Sequence, residues 1–345
     1  MLAKVHMDKP ILGILLGDGA GIGPEIIAKV AAKGKLNEYC YPVIIGDLRI
    51  LRQGMKIAEV DFGHYVIDNI NDISSADWEK GIPVLDQKNL DPEEINIGEL
   101  SVKCGKASGD MLVTAVNLYN EGKLDGFCFA PLNKASLKKA GFNYESEHYL
   151  FANLFNQTEP FGEINVLDDL WTSRVTSHIP IKDVSNNISV ESILKSMRLL
   201  NITLKRSGIK NARIAVAALN PHSGENGLCG REELDIILPA MEEAKKIGIN
   251  ALGPYPSDIL FIKAFQGEFN AVVTMYHDQG QIAMKLKGFE QGITIAGGFP
   301  AAIVTASHGT GYDIVGKGIA KTLAFENAVK MAARIALSDR KKNAC

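Results

Sequence analysis

The chain has 345 residues, 46% of them hydrophobic and 22% charged. That much apolar surface offsets chain entropy and excludes disorder over most of the length. Thirty-seven basic against forty acidic residues leave a net charge of −3, which offers no electrostatic footprint for nucleic acid or an anionic membrane surface.

At roughly 150 residues per domain the length predicts two domains. The apolar run 11–16 ends directly in Gly17-Asp18 with no small-residue cleavage site, so it reads as a first strand and not a signal peptide. Further candidate strands are 42–45, 126–130, 172–177, 214–219 and 271–276. Between them, 190–204 places Ile193, Leu194, Met197, Leu200 and Leu204 on one helical face, with Ser189 placed to cap it. Residues 230–245 set Leu234, Ile237, Leu238 and Met241 opposite a polar face of Glu232, Glu233 and Lys245. Residues 291–312 carry no formal charge but hold five glycines and Pro300, so no continuous membrane helix is expected there. A final amphipathic helix spans about 320–337, followed by a basic tail at Arg340-Lys341-Lys342. Strand–helix alternation of this kind predicts an α/β fold with a mostly parallel sheet. The cysteines at 40, 104, 128, 229 and 345 are scattered and form no C-x-x-C, which predicts idle thiols in a reducing cytoplasm.

Ligands of open α/β sheets bind where strands end at their carboxyl side, so polar residues there carry the functional reading. The loop Gly17-Asp18-Gly19-Ala20-Gly21-Ile22-Gly23-Pro24-Glu25 lies between a strand and a helix but does not match G-x-G-x-x-G, and read alone it suits a structural turn better than a site. His178, His222 and His277 each follow a predicted strand. Each could cap its strand end alone; together three imidazoles make a divalent-metal site with an open position. The run 307–318 narrowly misses a P-loop, because Gly318 stands where Ser or Thr must reach magnesium. Its glycines, with His308, Gly309, Thr310 and Asp313, suit a nucleotide's phosphates and ribose, or else form a plain surface loop.

Taken in order, Gly17–Glu25, Pro131-Leu132-Asn133-Lys134, Ser177-His178-Ile179-Pro180, Asn220-Pro221-His222 with Gly230-Arg231-Glu232, Gly253–Asp258, Tyr276-His277-Asp278-Gln279-Gly280 and His308–Gly318 resemble the 4-hydroxythreonine-4-phosphate dehydrogenase (PdxA) family over nearly the whole chain. The first and last motifs also resemble the wider isocitrate and isopropylmalate dehydrogenase fold, which binds NAD without a Rossmann domain. The resemblance implies two α/β/α domains with the active-site cleft between them: 1–135 with 305–345, and 136–304 carrying the histidines and the dimer contacts. It also implies a cytoplasmic homodimer whose active site lies at the interface, and a role akin to pyridoxine biosynthesis.

The implied reaction is oxidation of a hydroxy acid by NAD (or NADP), with decarboxylation. A divalent metal (zinc, magnesium, cobalt or manganese) would be held by His178, His222 and His277, two from one subunit and one from its mate. Lys134, Asp258, Asp278 and Lys285 are the ionisable groups expected around the reacting centre. Gly17, Asp18, His308, Gly309, Thr310 and Asp313 are expected at the cofactor. Substrate contacts are expected from Lys285 and from the positions now held by Glu147, His148, Thr294 and Ile303. At those four the chain departs from the family, which has His-Thr, Asn and Arg. A new carboxylate and a lost guanidinium both work against a phosphate ester. A non-phosphorylated hydroxy acid or a diol carboxylate, as for terephthalate dihydrodiol dehydrogenase, is therefore the expected alternative substrate. A metal-dependent hydrolase or aldolase without NAD, and a non-catalytic metabolite-binding protein, are the readings from other classes.

Overall fold

The computed structural model describes residues 8–288 and 290–343, so Cys345 lies outside the described residues. Twelve strands follow in chain order: β1 (Ile11–Leu15), β2 (Tyr41–Gly46), β3 (His64–Ile67), β4 (Ile82–Asp86), β5 (Gly126–Phe129), β6 (Gly162–Leu167), β7 (Leu170–Arg174), β8 (Ile214–Ala217), β9 (Ala251–Tyr255), β10 (Ala271–Thr274), β11 (Ile293–Gly297) and β12 (Ala302–Ala306). The chain divides into two compact units, one running to Thr158 and resuming at Phe299, the other Glu159–Gly298.

In the first unit the strand order is β3-β4-β2-β1-β5-β12, with every pair parallel. β1 is buried along its whole length, which is why it reads as a continuous apolar run and not an alternating one. The helix Gly23–Ala32 begins with Pro24 in its first turn, where a missing N–H costs nothing. The expectation placed the segment after residue 135 in the second domain. In the structure the helices Lys134–Lys139 and Glu147–Leu154 belong to the first unit. The reason is aromatic: Phe151, fully buried, meets Phe127, Phe129 and Phe299 edge-on at centroid distances of 5.7, 6.1 and 5.9 Å.

In the second unit the order is β11-β6-β7-β10-β8-β9. β6 is antiparallel to both of its neighbours, and the remaining pairs are parallel. A two-residue turn joins β6 to β7, with Asp168 in the left-handed region at φ 53°. Leu167, Leu170, Leu260, Phe261, Val272 and Met284 lead its core. The helix Val190–Arg206 starts in a reciprocal box between Ser189 and Ser192, as the cap at Ser189 predicts. The charge-free stretch from 291 is spent on β11 and β12, and no helix among the described residues is long and apolar enough to cross a membrane.

Candidate functional site

Two loops that are far apart in sequence meet at the carboxyl ends of the first unit's strands. The Ile22 N–H donates to Thr310 O at 2.9 Å. A Cβ on Gly21 would come within 2.8 Å of that same oxygen, so glycine is required for the approach. Asp18 is 1% exposed. Its Oδ1 accepts the Ala20 N–H at 2.9 Å and its Oδ2 accepts the Tyr312 hydroxyl at 2.6 Å. Burial pushes the Asp18 carboxyl above its usual range, against the opposing pull of these donors. The Tyr312 hydroxyl is pushed up as well, by burial first and by Asp18 second. Gly17 sits at φ 74° with a would-be Cβ 2.6 Å from Ala130 O. Gly17 and Asp18, expected at the cofactor, are therefore occupied in closing this loop. Gly309 and Asp313 are exposed, and His308 and Thr310 half-exposed, on the rim that the closure creates.

In the second unit the pairing of β7 with β10 runs on past the strands. The Val175 N–H donates to Thr274 O at 2.9 Å and the Thr176 N–H to Met275 O at 3.1 Å. The Thr176 hydroxyl donates to that Met275 carbonyl at 2.8 Å. This carries His178 and His277 side by side, with ring centroids 5.7 Å apart. His277 Nδ1 lies 2.7 Å from Asp278 Oδ1. In the neutral ring this pairing puts the proton on Nδ1, facing the carboxylate oxygen, and leaves Nε2 as the acceptor nitrogen. Both rings line a cavity of about 480 Å³ with Thr176, Ile181, Tyr276 and Asp278.

His222 does not join that pair. Among the described residues no three His, Cys, Asp or Glu side chains converge on one point. It sits in a turn where His222, Ser223, Glu225 and Asn226 all adopt φ between 46° and 56°, a conformation costing about 1–2 kcal/mol per residue. Its side chain is 77% exposed. Two residues that the sequence reading gave no chemical role hold the surroundings. Gln279 Oε1 accepts the Met275 N–H at 2.6 Å, while its Nε2 donates to Ala218 O and Ser257 Oγ, both at 2.7 Å. One amide thus ties the ends of β10 and β8 to the start of the helix Ser257–Phe265. Glu233, expected on the polar helix face, is 2% exposed and turned onto the His222 loop. The signal available was its place directly after Gly230-Arg231-Glu232.

The remaining expected residues fall in several places. Lys134 Nζ stands 3.8 Å from Glu147 Oε2, on the wall of a cavity of about 280 Å³ that Lys138, Phe142 and Tyr144 also line. His148 is buried against Phe151 and Phe299. Asp258 and Lys285 are exposed. Thr294 is buried on β11, where its hydroxyl accepts from Asn165 Nδ2 at 3.0 Å. Ile303, expected at the substrate, is fully buried on β12 in register with Phe127. It packs the core and has no polar atom to offer.

Polar loops gathered at the carboxyl ends of parallel strands place this chain in the class of α/β proteins that bind small ligands there. Residues 38–332 match the model of the family described as "Pyridoxal phosphate biosynthetic protein PdxA". The chain belongs to that family. A relative from Pseudomonas aeruginosa with the provisional name 4-hydroxythreonine-4-phosphate dehydrogenase 2 is 45% identical over 330 residues, covering 94% of this chain and 97% of its own. Another, from Halalkalibacterium halodurans and provisionally named D-threonate 4-phosphate dehydrogenase, is 40% identical over 95% of this chain and 97% of its own. A crystal structure of 4-hydroxythreonine-4-phosphate dehydrogenase from Klebsiella pneumoniae is similar with a TM-score of 0.84 and 32% identity, over 96% of this chain and 99% of that one.

Proposed function

We propose that this protein is a dehydrogenase that oxidises a secondary alcohol of a phosphorylated hydroxy acid, passes hydride to NAD (or NADP) and releases carbon dioxide from the resulting β-keto acid. The observation that carries the reading is the His178–His277 pair with Asp278 fixing the tautomer of His277. Two neighbouring imidazoles fit a divalent metal, and nitrogen donors suit zinc or cobalt better than magnesium. His178 and His277 of one subunit with the partner subunit's His222 would hold it in a homodimer, which agrees with an exposed His222 lying apart from the other two. When bound there, the metal would supply Lewis acidity toward the substrate's alcohol and carbonyl oxygens, and the nicotinamide would supply the hydride acceptor.

The chain's own residues supply the rest. Asp278 orients His277 through Nδ1, so it serves as an orienting carboxylate. The exposed Lys134, Lys285 and Asp258 remain to bind the acid groups and to take the alcohol proton. His308, Gly309, Thr310 and Asp313 would contact the nicotinamide nucleotide. Asp18 and Gly17 would act beneath them by joining the two loops. A phosphorylated substrate is supported by the names of relatives at 40–45% identity.

A non-phosphorylated hydroxy acid is the second reading, and four side chains favour it. The Arg position of the family is the buried Ile303 and the Asn position is Thr294, already bonded to Asn165. Arg174 could replace the lost guanidinium, but Glu163 Oε2 takes one of its five N–H donors at 2.6 Å, and Asn165 and Ser177 take two more. Glu147 adds a carboxylate beside Lys134. Initial rates on phosphorylated and dephosphorylated forms of each hydroxy acid, with NAD and zinc or cobalt, separate the two readings. Faster turnover of the phosphate esters upholds the first; faster turnover of the free acids overturns it.

A further inference from the structure

Glu233 is a charged side chain buried to 2% exposure on a helix whose sequence pattern sets it facing water. Its Oε1 accepts the N–H groups of Leu219 and Asn220 at 2.9 and 2.7 Å, and its Oε2 accepts from Asn220 Nδ2 at 3.0 Å. Asn220 Nδ2 also donates to Glu232 Oε2 at 2.7 Å. The loop is drawn tightly around this carboxylate. A Cβ on Gly224 would lie 2.6 Å from Glu233 Oε2, and one on Gly230 would lie 2.4 Å from Asn220 Nδ2. Both glycines also have positive φ, so two independent restrictions hold the segment to this path.

We infer that Glu233 is the positioning residue for His222: it grips two consecutive amides just before the left-handed turn and so sets where the imidazole is presented. Charge-assisted bonds to successive N–H groups fix the peptide planes more firmly than neutral ones. A run of left-handed residues has no such preference of its own. A carboxylate is required because three donors converge on it. An amide in its place would set its own NH₂ against that of Asn220 or give up the backbone donors. The inference rests on the reading of His222 as a metal ligand, and the test keeps the two apart.

Cobalt(II) titration of the full chain, followed by visible absorption, is combined with hydrogen–deuterium exchange across residues 219–226, for wild type and the variants E233A, E233Q and H222A. Removing a group that orients a ligand typically costs about 10–100-fold in metal affinity, and E233A is expected to show that loss together with about 10-fold faster exchange at Leu219 and Asn220. E233Q should fall between E233A and wild type. If E233A does not fold, E233Q decides by the same two readouts. A lower melting temperature with unchanged cobalt affinity overturns the inference, even with faster exchange at Leu219 and Asn220, because a purely structural role predicts that pattern. If H222A binds cobalt as tightly as wild type, the metal reading falls. The role of Glu233 is then decided by exchange at residues 222–226, whose amides it does not bond: faster exchange there in the Glu233 variants upholds it, and unchanged exchange there overturns it.

Discussion

Asp18 shows how one buried carboxylate can tie together segments 294 residues apart. Its pKa is raised by burial, so the folded state favours the neutral form. The linkage follows from the sign: the stability Asp18 contributes is complete below its unfolded value near 3.8 and is lost as pH rises through the higher folded value. Asp18→Asn removes that titration while its Oδ1 still accepts from Ala20. Melting curves at pH 3.5 and pH 7 should show the variant gaining on wild type as pH rises; a difference that stays constant across this range contradicts the account. Tyr312→Phe leaves the carboxylate with one donor fewer and should cost about 1–3 kcal/mol at pH 7 in denaturant unfolding. The family resemblance placed Asp18 at the cofactor, whereas its loop read alone suits a structural turn. Nothing local points to Tyr312, and only the folded chain brings the two together. Ile303 fails for a related reason, since alignment of a position says nothing about which face of a strand it occupies.

At the scale of elements, the ends of β7 and β10 were legible, and so was the placing of His178 and His277 just beyond them. The candidate strand 172–177 begins two residues after β7 does and runs three residues past its end, into the stretch that stays bonded to residues 274 and 275. Both readings leave His178 at the end of that run. β6 and β11 were not legible, because their antiparallel pairing depends on partners about 130 residues apart and β6 lacks a long β-branched run. Glu233 misled because a 3.6-residue pattern assigns polar residues to water and has no means of seeing an amide pair waiting to be bonded.

In the proposed homodimer with a shared metal, the placement of the histidines sets what a subunit-mixing experiment should show. With His178 and His277 neighbours in one subunit, H178A mixed with H277A yields no intact site. H222A mixed with H277A yields one intact site per mixed dimer, so random exchange should recover about a quarter of wild-type activity under two-fold symmetry. Recovery from the first mixture and none from the second would reverse the assignment. The aromatic cluster offers a stability test. Phe151→Ala should cost about 3–5 kcal/mol, measured by urea unfolding, and a loss under 1 kcal/mol would show that Phe151 does not anchor the helix Glu147–Leu154 to the first unit.

For the molecule as a whole, the α/β class, the order of the motifs and the family were readable from the chain, because those features depend on local pattern and on punctuation by glycine and proline. The division between units was less readable. It falls at Thr158 and Phe299 because Phe151 and Phe299 share one cluster, a contact across almost 150 residues. Substrate choice is the property on which the family likeness and the individual side chains point in different directions. Relatives carry names of 4-phosphate esters, whereas Ile303, Thr294, Glu147 and the engaged Arg174 offer a phosphate little beyond lysines. Any ligand that binds the native state alone should raise the melting temperature, so NAD and zinc added together should stabilise the wild type, and zinc alone should stabilise it more than it stabilises H222A.

The proposed metal-dependent hydride transfer from a hydroxy acid to a nicotinamide nucleotide is read out by the rate of NADH formation. The assay is followed at the nicotinamide absorbance, with zinc or cobalt, on 4-hydroxythreonine 4-phosphate and D-threonate 4-phosphate, with and without a chelator. A kcat/KM of about 10⁴ M⁻¹s⁻¹ or more is expected on at least one of these esters, abolished by the chelator and by His277→Ala. No NADH from either ester or from their dephosphorylated acids, with metal and NAD both bound, would contradict it.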